Sequence, residues 1–454
     1  MEYAALWMFL AAFSFLLLGY PVALTLGGTA LLAAGIGVAN GIFEPALLMA
    51  APNRLFGILT NQTLMAVPLF VLMGVILERS RIAEDLLDTM AKLFGRFPGG
   101  LGIAVTLVGM LMAASTGIVG ATVVTMGLMA LPSMLKANYD PRLAAGTICA
   151  TGTLGQIIPP SIALVLLGDV LATAYQQAQL SQGIFNPKTV SVGDLFAGAV
   201  VPGICLVGFY LIYITATAIL QPHRAPSVAI TAVTASELVG SIAPPLLLIL
   251  AVLGSILTGM ATPTEAAGVG AMGAFVLALV KGSLERGQFM DMGRATTKTT
   301  AMVFFILIGA SLFSLVFRGF GGDALVQGIF TQMPGGVVGA TLIVMLVIFL
   351  LGFILDFIEI TFVVVPIVGP ILLAMGVDPI WLGIMIAVNL QTSFLTPPFG
   401  FALFYLRGVA PGSIRTTDIY RGVVPFIVMQ LLLLLLLAWQ PGLVTWLPSV
   451  LFPR

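Results

Sequence analysis

Charged residues are scarce in this chain, and their scarcity excludes most classes of soluble protein. Only 8% of the 454 residues are charged, whereas 59% are hydrophobic. Soluble domains carry about 25% charged residues, because their surfaces face water. We therefore expect an integral membrane protein embedded in the lipid bilayer. The net charge is zero, which gives a nucleic-acid partner no electrostatic attraction, so none is expected.

Histidine and cysteine are nearly absent, and this argues against an enzyme. The single histidine, His223, stands in a polar stretch, where a solvated loop residue is expected. Cys149 and Cys205 lie in apolar runs, so we interpret them as buried apolar side chains rather than a disulfide. A membrane-embedded enzyme would need an activated nucleophile or a polar cluster at depth. Asp356 and Glu359 are the one close carboxylate pair in the apolar segments, and an enzyme stays a less favoured alternative.

Long apolar runs recur along the chain and predict an all-α polytopic membrane protein. A helix needs about 20 residues to cross a hydrocarbon core of about 30 Å. Spanning helices are predicted at Ala4–Gly19, Val22–Ala39, Leu64–Leu77, Leu195–Leu220, Ser241–Gly259, Ala266–Val280, Thr299–Phe317 and Val423–Trp439. The stretch 83–97 is amphipathic and predicts a helix that lies in the membrane interface or in a cytoplasmic loop.

Four further apolar stretches are short and predict two re-entrant hairpins. Leu101–Ala114 and Ala121–Met134 hold 14 residues each, so each helix would be about 21 Å long. A short break at 115–120 separates them. Gly339–Phe353 and Phe362–Met375 repeat this arrangement. Two half-length helices around a short break indicate a hairpin that enters and leaves the membrane on one side.

Each predicted hairpin is followed by a helix that a Pro-Pro pair interrupts. The two pairs begin at Pro159 and Pro397. Pro159 lies 37 positions after Thr122, and Pro397 lies 36 positions after Thr361. This matched spacing indicates two inverted repeats, each with a hairpin and a broken helix, as in many secondary transporters. Following the helices places 14 of the 18 Lys and Arg residues on one side, which the positive-inside rule assigns to the cytoplasm, with both termini opposite.

The interrupted helices predict ion and anion sites. Proline removes N–H donors and releases carbonyl groups one turn earlier, and polar backbone at membrane depth must find partners. Carbonyl and hydroxyl oxygens suit a hard cation such as Na⁺, and the N–H groups at hairpin helix N-termini suit an anion. We therefore predict two cation sites flanking one anion site. A merely kinked packing helix is the alternative at either break.

Few ionisable residues occur in the apolar segments. Glu265 is expected to cap the helix that follows it. Asp356 and Glu359, at the tip of the second hairpin, are stronger functional candidates, because ionisable groups at membrane depth are usually functional. Arg318 and Arg407 are expected to reach the membrane interface, with substrate binding as the less favoured role. So few carboxylates favour Na⁺ coupling over a proton relay.

These motifs resemble the large membrane (M) subunit of TRAP transporters, the tripartite ATP-independent periplasmic systems. The matching segments are Met65–Gly74, Gly152–Ser161, Ala261–Ala267 and Thr396–Pro398, in family order across nearly the whole chain. The resemblance implies the ion transporter superfamily fold with elevator-type scaffold and transport domains. It implies scaffold helices and an amphipathic arm at 1–96, the first hairpin and broken helix of the transport domain at 97–170, scaffold helices at 171–298 with the second repeat beginning near 240, the second hairpin and broken helix of the transport domain at 299–410, and a C-terminal helix at 411–454.

The resemblance also implies a function and partners. It implies Na⁺ as coupling ion without an organic cofactor, a small four-helix membrane (Q) subunit, and a periplasmic substrate-binding (P) protein that delivers a small organic acid. It implies the bacterial inner membrane, with both termini periplasmic. The segment Gly168–Asp194 resembles branches that handle 2-oxo acids or other monocarboxylates, and a C4-dicarboxylate is also considered. A stand-alone Na⁺/carboxylate symporter and a passive channel are the alternatives.

The family's sodium sites pair each hairpin with the following broken helix. Carried over, the first site comprises Ser115, Gly117, Gly155, Ile158 and Pro160, and the second comprises Gly352, Ser393, Thr396 and Phe399. Most would act through backbone carbonyls. The first tip reads Ser-Thr-Gly-Ile-Val-Gly and departs from the serine-rich tips of many members. The side chains predicted to contact the substrate are Thr116, Thr153, Gln156, Asp356, Glu359, Thr361 and Gln391.

Overall fold

The chain folds into helices throughout the part that the structure describes. The computed structural model describes residues 3–80, 82–228, 234–282, 286–331 and 334–453, without the side chains of Ser115, Thr116, Arg286 and Thr331. Every regular element in these ranges is helical, and none is a strand. The all-α fold predicted from the apolar runs is therefore confirmed.

The helices up to the first Pro-Pro pair form the N-terminal part of the chain. They are α1 (Ala4–Leu17), α2 (Val22–Ala39), a 3-10 turn (Pro45–Ala50), α3 (Ala51–Leu59), α4 (Ala66–Arg79), α5 (Ile82–Phe94), α6 (Gly100–Thr116), α7 (Val119–Lys136), α8 (Pro141–Thr153) and a 3-10 turn (Leu154–Gln156).

The helices after the first Pro-Pro pair include the second hairpin and the second broken helix. They are α9 (Ile162–Ser181), α10 (Val192–Leu220), α11 (Ala235–Leu257), α12 (Pro263–Val280), α13 (Arg286–Gly319), α14 (Gly322–Thr331), α15 (Gly336–Leu351), α16 (Phe357–Glu359), a π-helical turn (Ile360–Val364), α17 (Val365–Ala374), α18 (Pro379–Leu395), α19 (Phe401–Val409), α20 (Thr416–Trp439) and α21 (Gly442–Leu451). Helices α3, α14 and α21 were not predicted from the sequence.

Eight helices among the described residues are long and apolar enough to cross a membrane, judged by length and composition. Six of them overlap predicted spans: Val22–Ala39, Val192–Leu220, Ala235–Leu257, Pro263–Val280, Gly287–Gly319 and Thr416–Trp439. The predicted spans Ala4–Gly19 and Leu64–Leu77 form the shorter helices α1 and α4, of 14 residues each. The chain is a multi-pass membrane protein, as predicted.

Both predicted hairpins are present as pairs of helices joined by short connections. Only Gly117 and Ile118 connect α6 to α7, and residues 352–356 connect α15 to α16. The predicted arm lengths of about 14 residues are too short for every arm, because α6 has 17 residues, α15 has 16, and Val119–Lys136 and Phe357–Ala374 have 18 each. The difference is largest for the second arms. Each of these arms begins directly at its tip, so it gains turns that the apolar pattern alone did not include. The hairpins are therefore defined by their short connections rather than by arm length.

Both predicted helix breaks are also present. Helix α8 ends at Thr153 and α9 begins at Ile162, whereas α18 ends at Leu395 and α19 begins at Phe401. Each Pro-Pro pair lies inside its break, because proline offers no N–H group to continue a helix. The Pro-Pro bonds are cis in both breaks.

The chain forms two compact units, and the first comprises Met1–Leu64, Leu166–Ser191 and Lys298–Leu382. Within it, α2 packs closely against α13, where a Cβ atom at Gly309 would overlap the backbone oxygen of Ala23. Helix α17 of the second hairpin packs against α14 and α15. The second hairpin therefore belongs to unit one.

Unit two comprises Met65–Val165, Val192–Thr297 and Gly383–Arg454. It contains the first hairpin, the first break and the second break. Helices α8 and α20 cross at a glycine contact, since a Cβ atom at Gly422 would overlap the backbone oxygen of Arg142. The Arg142 side chain also pairs with Asp418 at 3.1 Å. The assignment of segments to scaffold and transport domains stays a prediction.

The amphipathic helix predicted at 83–97 is α5 in unit two. Its apolar side chains, among them Leu86 and Met90, are buried. Asp85 pairs with Lys281 at 2.7 Å and Lys92 pairs with Glu237 at 2.6 Å. Surface ion pairs contribute little free energy individually, so burial of the apolar face is the main force that holds α5 in place.

Glu265 caps α12, as the sequence predicted. Its side chain accepts a hydrogen bond from the Thr262 backbone N–H at 2.8 Å, and Thr262 Oγ1 accepts one from the Glu265 backbone N–H at 3.3 Å. This reciprocal capping box satisfies two backbone donors at the helix N-terminus. Both cysteines are unpaired in the described part of the chain, and Cys149 is buried.

Candidate functional site

In the first helix break, a buried serine side chain hydrogen-bonds to the backbone of the same irregular turn. Ser161 follows the Pro-Pro pair and is fully buried. Its hydroxyl donates to the Gly155 carbonyl at 2.7 Å and lies 3.3 Å from the Gln156 carbonyl. These carbonyls lost their helical donors where α8 ends, so Ser161 replaces one of the missing hydrogen bonds. The role of Ser161 was not predicted from the sequence. Its partner, Gly155, lies six residues away across an irregular turn, and no regular spacing indicates this contact.

The tip of the first hairpin lies directly against this break. Gly117 ends α6 with a φ of +60°, a conformation that favours glycine. A Cβ atom at Gly117 would lie 2.9 Å from the Ile162 nitrogen, and one at Gly155 would lie 3.1 Å from the Ala113 oxygen. The two backbones therefore approach more closely than any larger side chain allows.

The residues predicted for the first sodium site are thus brought together in unit two. Gly117 and Gly155 lie at the contact between tip and break, and Ile158 and Pro160 belong to the same break. The side chain of Ser115 lies outside the described residues, as does that of Thr116. Gly117, Ile158 and Pro160 lie outside the regular helices, and the role of their carbonyl groups as sodium ligands stays a prediction.

Three buried side-chain oxygens near the two breaks have no hydrogen-bond partner in the described part of the chain. They are Gln156 Oε1, Gln391 Oε1 and Ser393 Oγ. Gln391 Nε2 donates to Thr153 Oγ1 at 3.3 Å, so the end of α8 and the end of α18 are in direct contact. An unpaired buried oxygen costs about 1–3 kcal/mol, which makes these atoms available to a bound ion, water or ligand.

The second break is built differently. Thr396 Oγ1 donates to the Thr392 carbonyl at 2.7 Å. Phe399 is 54% exposed, and the Pro398 carbonyl accepts a hydrogen bond from the Tyr420 hydroxyl of α20 at 3.2 Å. Ser393, Thr396 and Phe399, all predicted for the second sodium site, therefore lie in one short segment. Gly352 belongs to unit one, and its place in that site stays a prediction.

The carboxylates at the second hairpin tip cap a helix. Asp356 Oδ1 accepts a hydrogen bond from the Phe357 backbone N–H at 2.7 Å, and Glu359 Oε2 accepts one from the Asp356 backbone N–H at 3.0 Å. Glu359 is 5% exposed and borders a small apolar cavity with Phe9 and Phe313. Both predicted carboxylates thus have a structural role. Their predicted contact with a substrate stays a prediction.

The other polar residues in the apolar segments differ in whether their side chains have protein partners. The Thr361 side chain, two residues beyond Glu359, is fully buried, and its Oγ1 has no partner in the described ranges. Arg318 pairs with Asp323 at 3.4 Å and donates to Gln177 at 3.1 Å. Arg407 donates to the Ile414 carbonyl at 2.6 Å and so holds the loop before α20.

These elements define a class of protein. A multi-pass helical bundle with two hairpins and two Pro-Pro breaks is the architecture of a secondary transporter built from repeats. The irregular backbone occurs where the breaks lie, as expected for polar backbone that lines a binding site in a membrane.

Comparison with known proteins identifies the family. The sequence model of the Tripartite ATP-independent periplasmic transporter, DctM component, matches residues 9–443. The chain therefore belongs to this family of TRAP transporter large permeases. It is a transporter subunit and not an enzyme, and the expected family is confirmed.

Two relatives from one organism show how far the similarity extends. The chain is 30% identical to the C4-dicarboxylate TRAP transporter large permease protein DctM of Vibrio cholerae, over 98% of this chain and 97% of that protein. It is 27% identical to the Sialic acid TRAP transporter large permease protein SiaM of the same organism, over 88% and 89%. Relatives named for different acids thus have similar identities to this chain.

A solved structure supports the fold. The YdaH transporter of Alcanivorax borkumensis superposes with a TM-score of 0.61 over 87% of this chain and 88% of that one. Its sequence identity is 16%, so the similarity concerns the fold alone.

Proposed function

We propose that this chain is the membrane subunit of a Na⁺-coupled importer for a small organic acid that works by an elevator mechanism. The single observation that carries the proposal is the first break in unit two. There the hairpin tip lies against a buried turn whose Gly155 carbonyl is held by Ser161, and Gln156 Oε1 has no partner among the described residues.

Neutral oxygen atoms are the donors at this break, and they support Na⁺ as the coupling ion. Carbonyl and hydroxyl oxygens suit hard cations, whereas transition metals favour nitrogen and sulfur ligands. We propose a first Na⁺ site at Ser115, Gly117, Gly155, Ile158 and Pro160. Ser393, Thr396 and Phe399 contribute to a second site, and the buried Ser393 hydroxyl, which has no partner in the described ranges, supports this role.

The proposed substrate is a small carboxylate, such as a 2-oxo acid, another monocarboxylate or a C4-dicarboxylate. The relatives named for C4-dicarboxylate and sialic acid both handle acids. The proposed substrate contacts near the first break are Thr116, Thr153, Gln156 and Gln391, which belong to the first hairpin tip, the first break and the last turns of α8 and α18. Asp356, Glu359 and Thr361 complete the proposed set.

Partners and location follow from the family. Its description names a tripartite, ATP-independent, periplasmic system. We propose that a small four-helix membrane subunit and a periplasmic binding protein complete the transporter in the bacterial inner membrane, with both termini of this chain in the periplasm. The segments 97–170 and 299–410 would carry the elevator movement.

Uptake into proteoliposomes tests the sodium sites. The chain is reconstituted with its membrane partner and binding protein, and uptake of radiolabelled succinate, pyruvate or sialic acid is measured in a Na⁺ or K⁺ gradient. Replacement Ser393→Ala or Thr396→Val should raise the half-saturating Na⁺ concentration about tenfold, because a hydrogen-bonding oxygen next to a charge contributes about 1.5–3 kcal/mol. Ser115→Ala should act in the same direction.

Thr258→Val is the matched control. Thr258 Oγ1 donates to the Gly254 carbonyl at 2.8 Å, the same bond to the carbonyl four residues earlier that Thr396 makes, but at the end of α11. It should leave Na⁺ dependence unchanged. Unchanged Na⁺ dependence in all three site variants would remove the assigned sites. Full uptake without a binding protein would favour the stand-alone symporter.

A further inference from the structure

Four fully buried polar side chains form a row through the interior of unit two. Gln391 Nε2 donates to Thr153 Oγ1 at 3.3 Å, and the Gln391 side chain also interacts with the Tyr210 hydroxyl. Gln430 Nε2 donates to the same Tyr210 hydroxyl at 2.8 Å. All four side chains are 0% exposed. The row therefore connects α8, α18, α10 and α20.

The row reaches both helix breaks. Thr153 is the last residue of α8, directly before the first break, and Gln391 precedes Ser393 by two residues on α18. The Thr153–Gln391 bond thus links the residue before the first break to the last turn of α18, which precedes the second break. Tyr210 and Gln430 lie on helices without a break and belong to none of the predicted sites.

The hydrogen bonds determine how the Gln391 amide is oriented. The Thr153 hydroxyl donates its single hydrogen to the Ala150 carbonyl at 2.8 Å. Toward Gln391 it can therefore only accept, and Gln391 must present an N–H group. The Gln391 amide also interacts with the Tyr210 hydroxyl. Gln391 Oε1 is then directed away from both partners and stays without one in the described ranges.

Tyr210 is itself held from the other side. Gln430 donates to its hydroxyl, and the ring packs edge-on against Phe426, with centroids 5.1 Å apart. Removing the hydroxyl would deprive the fully buried Gln391 amide of this interaction. The amide would then lose one of the two contacts that fix its plane.

We propose that Tyr210 and Gln430 are positioning residues for the coupling-ion sites. They hold Gln391 in one orientation, and Gln391 in turn holds the ends of α8 and α18 at a fixed separation. This inference rests on the proposed Na⁺ coupling and adds two residues to it that touch no proposed ligand.

Tyr213 provides a matched control on the same helix. Its ring also packs edge-on against Phe426, at 5.3 Å and 79°, compared with 80° for Tyr210. Its hydroxyl makes no hydrogen bond among the described residues, whereas that of Tyr210 contacts two amides. Replacement by phenylalanine preserves ring packing at both Tyr210 and Tyr213. It removes contacts with glutamine amides only at Tyr210.

The test measures Na⁺ binding by thermal stability of the purified full chain in detergent. The melting temperature is followed while NaCl replaces KCl at constant ionic strength, since a ligand that binds the folded state raises it. Tyr210→Phe should raise the half-saturating Na⁺ concentration about threefold to tenfold, as expected for loss of one buried hydrogen bond. Gln430→Leu should act in the same direction more weakly, and Tyr213→Phe should match the wild type.

The double variant Tyr210→Phe/Gln430→Leu should behave like Tyr210→Phe alone, because residues that act as one network are not additive. A lower melting temperature in KCl with wild-type Na⁺ dependence would make both residues merely structural and overturn the inference. If Tyr210→Phe does not fold, wild-type Na⁺ dependence of Gln430→Leu overturns it. A wild-type chain whose melting temperature ignores Na⁺ would overturn the sodium coupling itself, which separates the two failures.

Discussion

The two helix breaks share a Pro-Pro pair but differ in how their backbone is held. In the first break, Ser161 bonds to the Gly155 carbonyl within the same turn, and the turn is buried against the first hairpin. In the second break, the Pro398 carbonyl is held by Tyr420 from another helix, and Phe399 is exposed. The first break is held within its own turn, whereas the second break also depends on a hydrogen bond from a neighbouring helix.

This difference shows that the same Pro-Pro motif can produce two breaks whose backbone carbonyls have different hydrogen-bond partners. Proline removes the same donors in both repeats, so both breaks release carbonyl groups. What receives those carbonyls depends on the residue after the Pro-Pro pair, which is Ser161 in the first repeat and Phe399 in the second. We therefore expect the first break to be the more rigid of the two.

Helix α20 packs against α8, which leads into the first break, and hydrogen-bonds to the second break, so its disruption should have the largest effect. Gly422→Val places a side chain on the Arg142 carbonyl of α8, and the two backbones must separate. Overpacking of this kind costs about 1–3 kcal/mol, and we expect the upper end because the obstacle is backbone. This loss of stability is measured as a lower melting temperature in KCl. Gly208→Val on α10, where no atom lies within 4 Å of a Cβ, should change it little; equal losses would contradict the contact.

The hydroxyl groups within the two breaks should contribute different amounts to the stability of the protein. Ser161→Ala leaves the buried Gly155 carbonyl without its donor and should cost about 1–3 kcal/mol, whereas Thr396→Val removes a bond at a half-buried helix end and should cost about 0.5–1 kcal/mol. Melting temperatures in KCl compare them without Na⁺ binding. If Thr396→Val lowers the melting temperature more than Ser161→Ala, the second break is the more tightly held one. This result would contradict the expectation that the first break is more rigid.

The smallest effect is expected at Tyr420. Tyr420→Phe removes the hydrogen bond to the Pro398 carbonyl, a contact near the surface, and should cost about 0.5 kcal/mol. Amide hydrogen exchange should rise at Thr396, Phe399 and Gly400, the non-proline residues of the second break, and stay unchanged at residues 154–158. Tyr20→Phe, whose ring is 59% exposed, serves as control. Faster exchange in both breaks would show that they are coupled through α20.

The sequence by itself determined the membrane location, the helical class, both hairpins and both breaks. These features depend on local physics: apolar runs bury helices in lipid, and glycine and proline interrupt them within a few residues. The Glu265 cap belongs here too, because a capping box spans only four residues. The lengths of the second hairpin arms were underestimated, since α7 and α17 with its preceding turns extend through polar and small residues that the apolar pattern left out.

Only the tertiary structure decided which polar groups meet. Thr153 and Gln391 are 238 positions apart, and Tyr210 and Gln430 are 220 apart. Nothing in a single sequence selects such partners among many buried polar residues, because their contact depends on how distant helices pack. The α8–α20 glycine contact and the Tyr420 bond to the second break have the same origin. The sequence thus places the breaks, and helix packing determines what holds each of them.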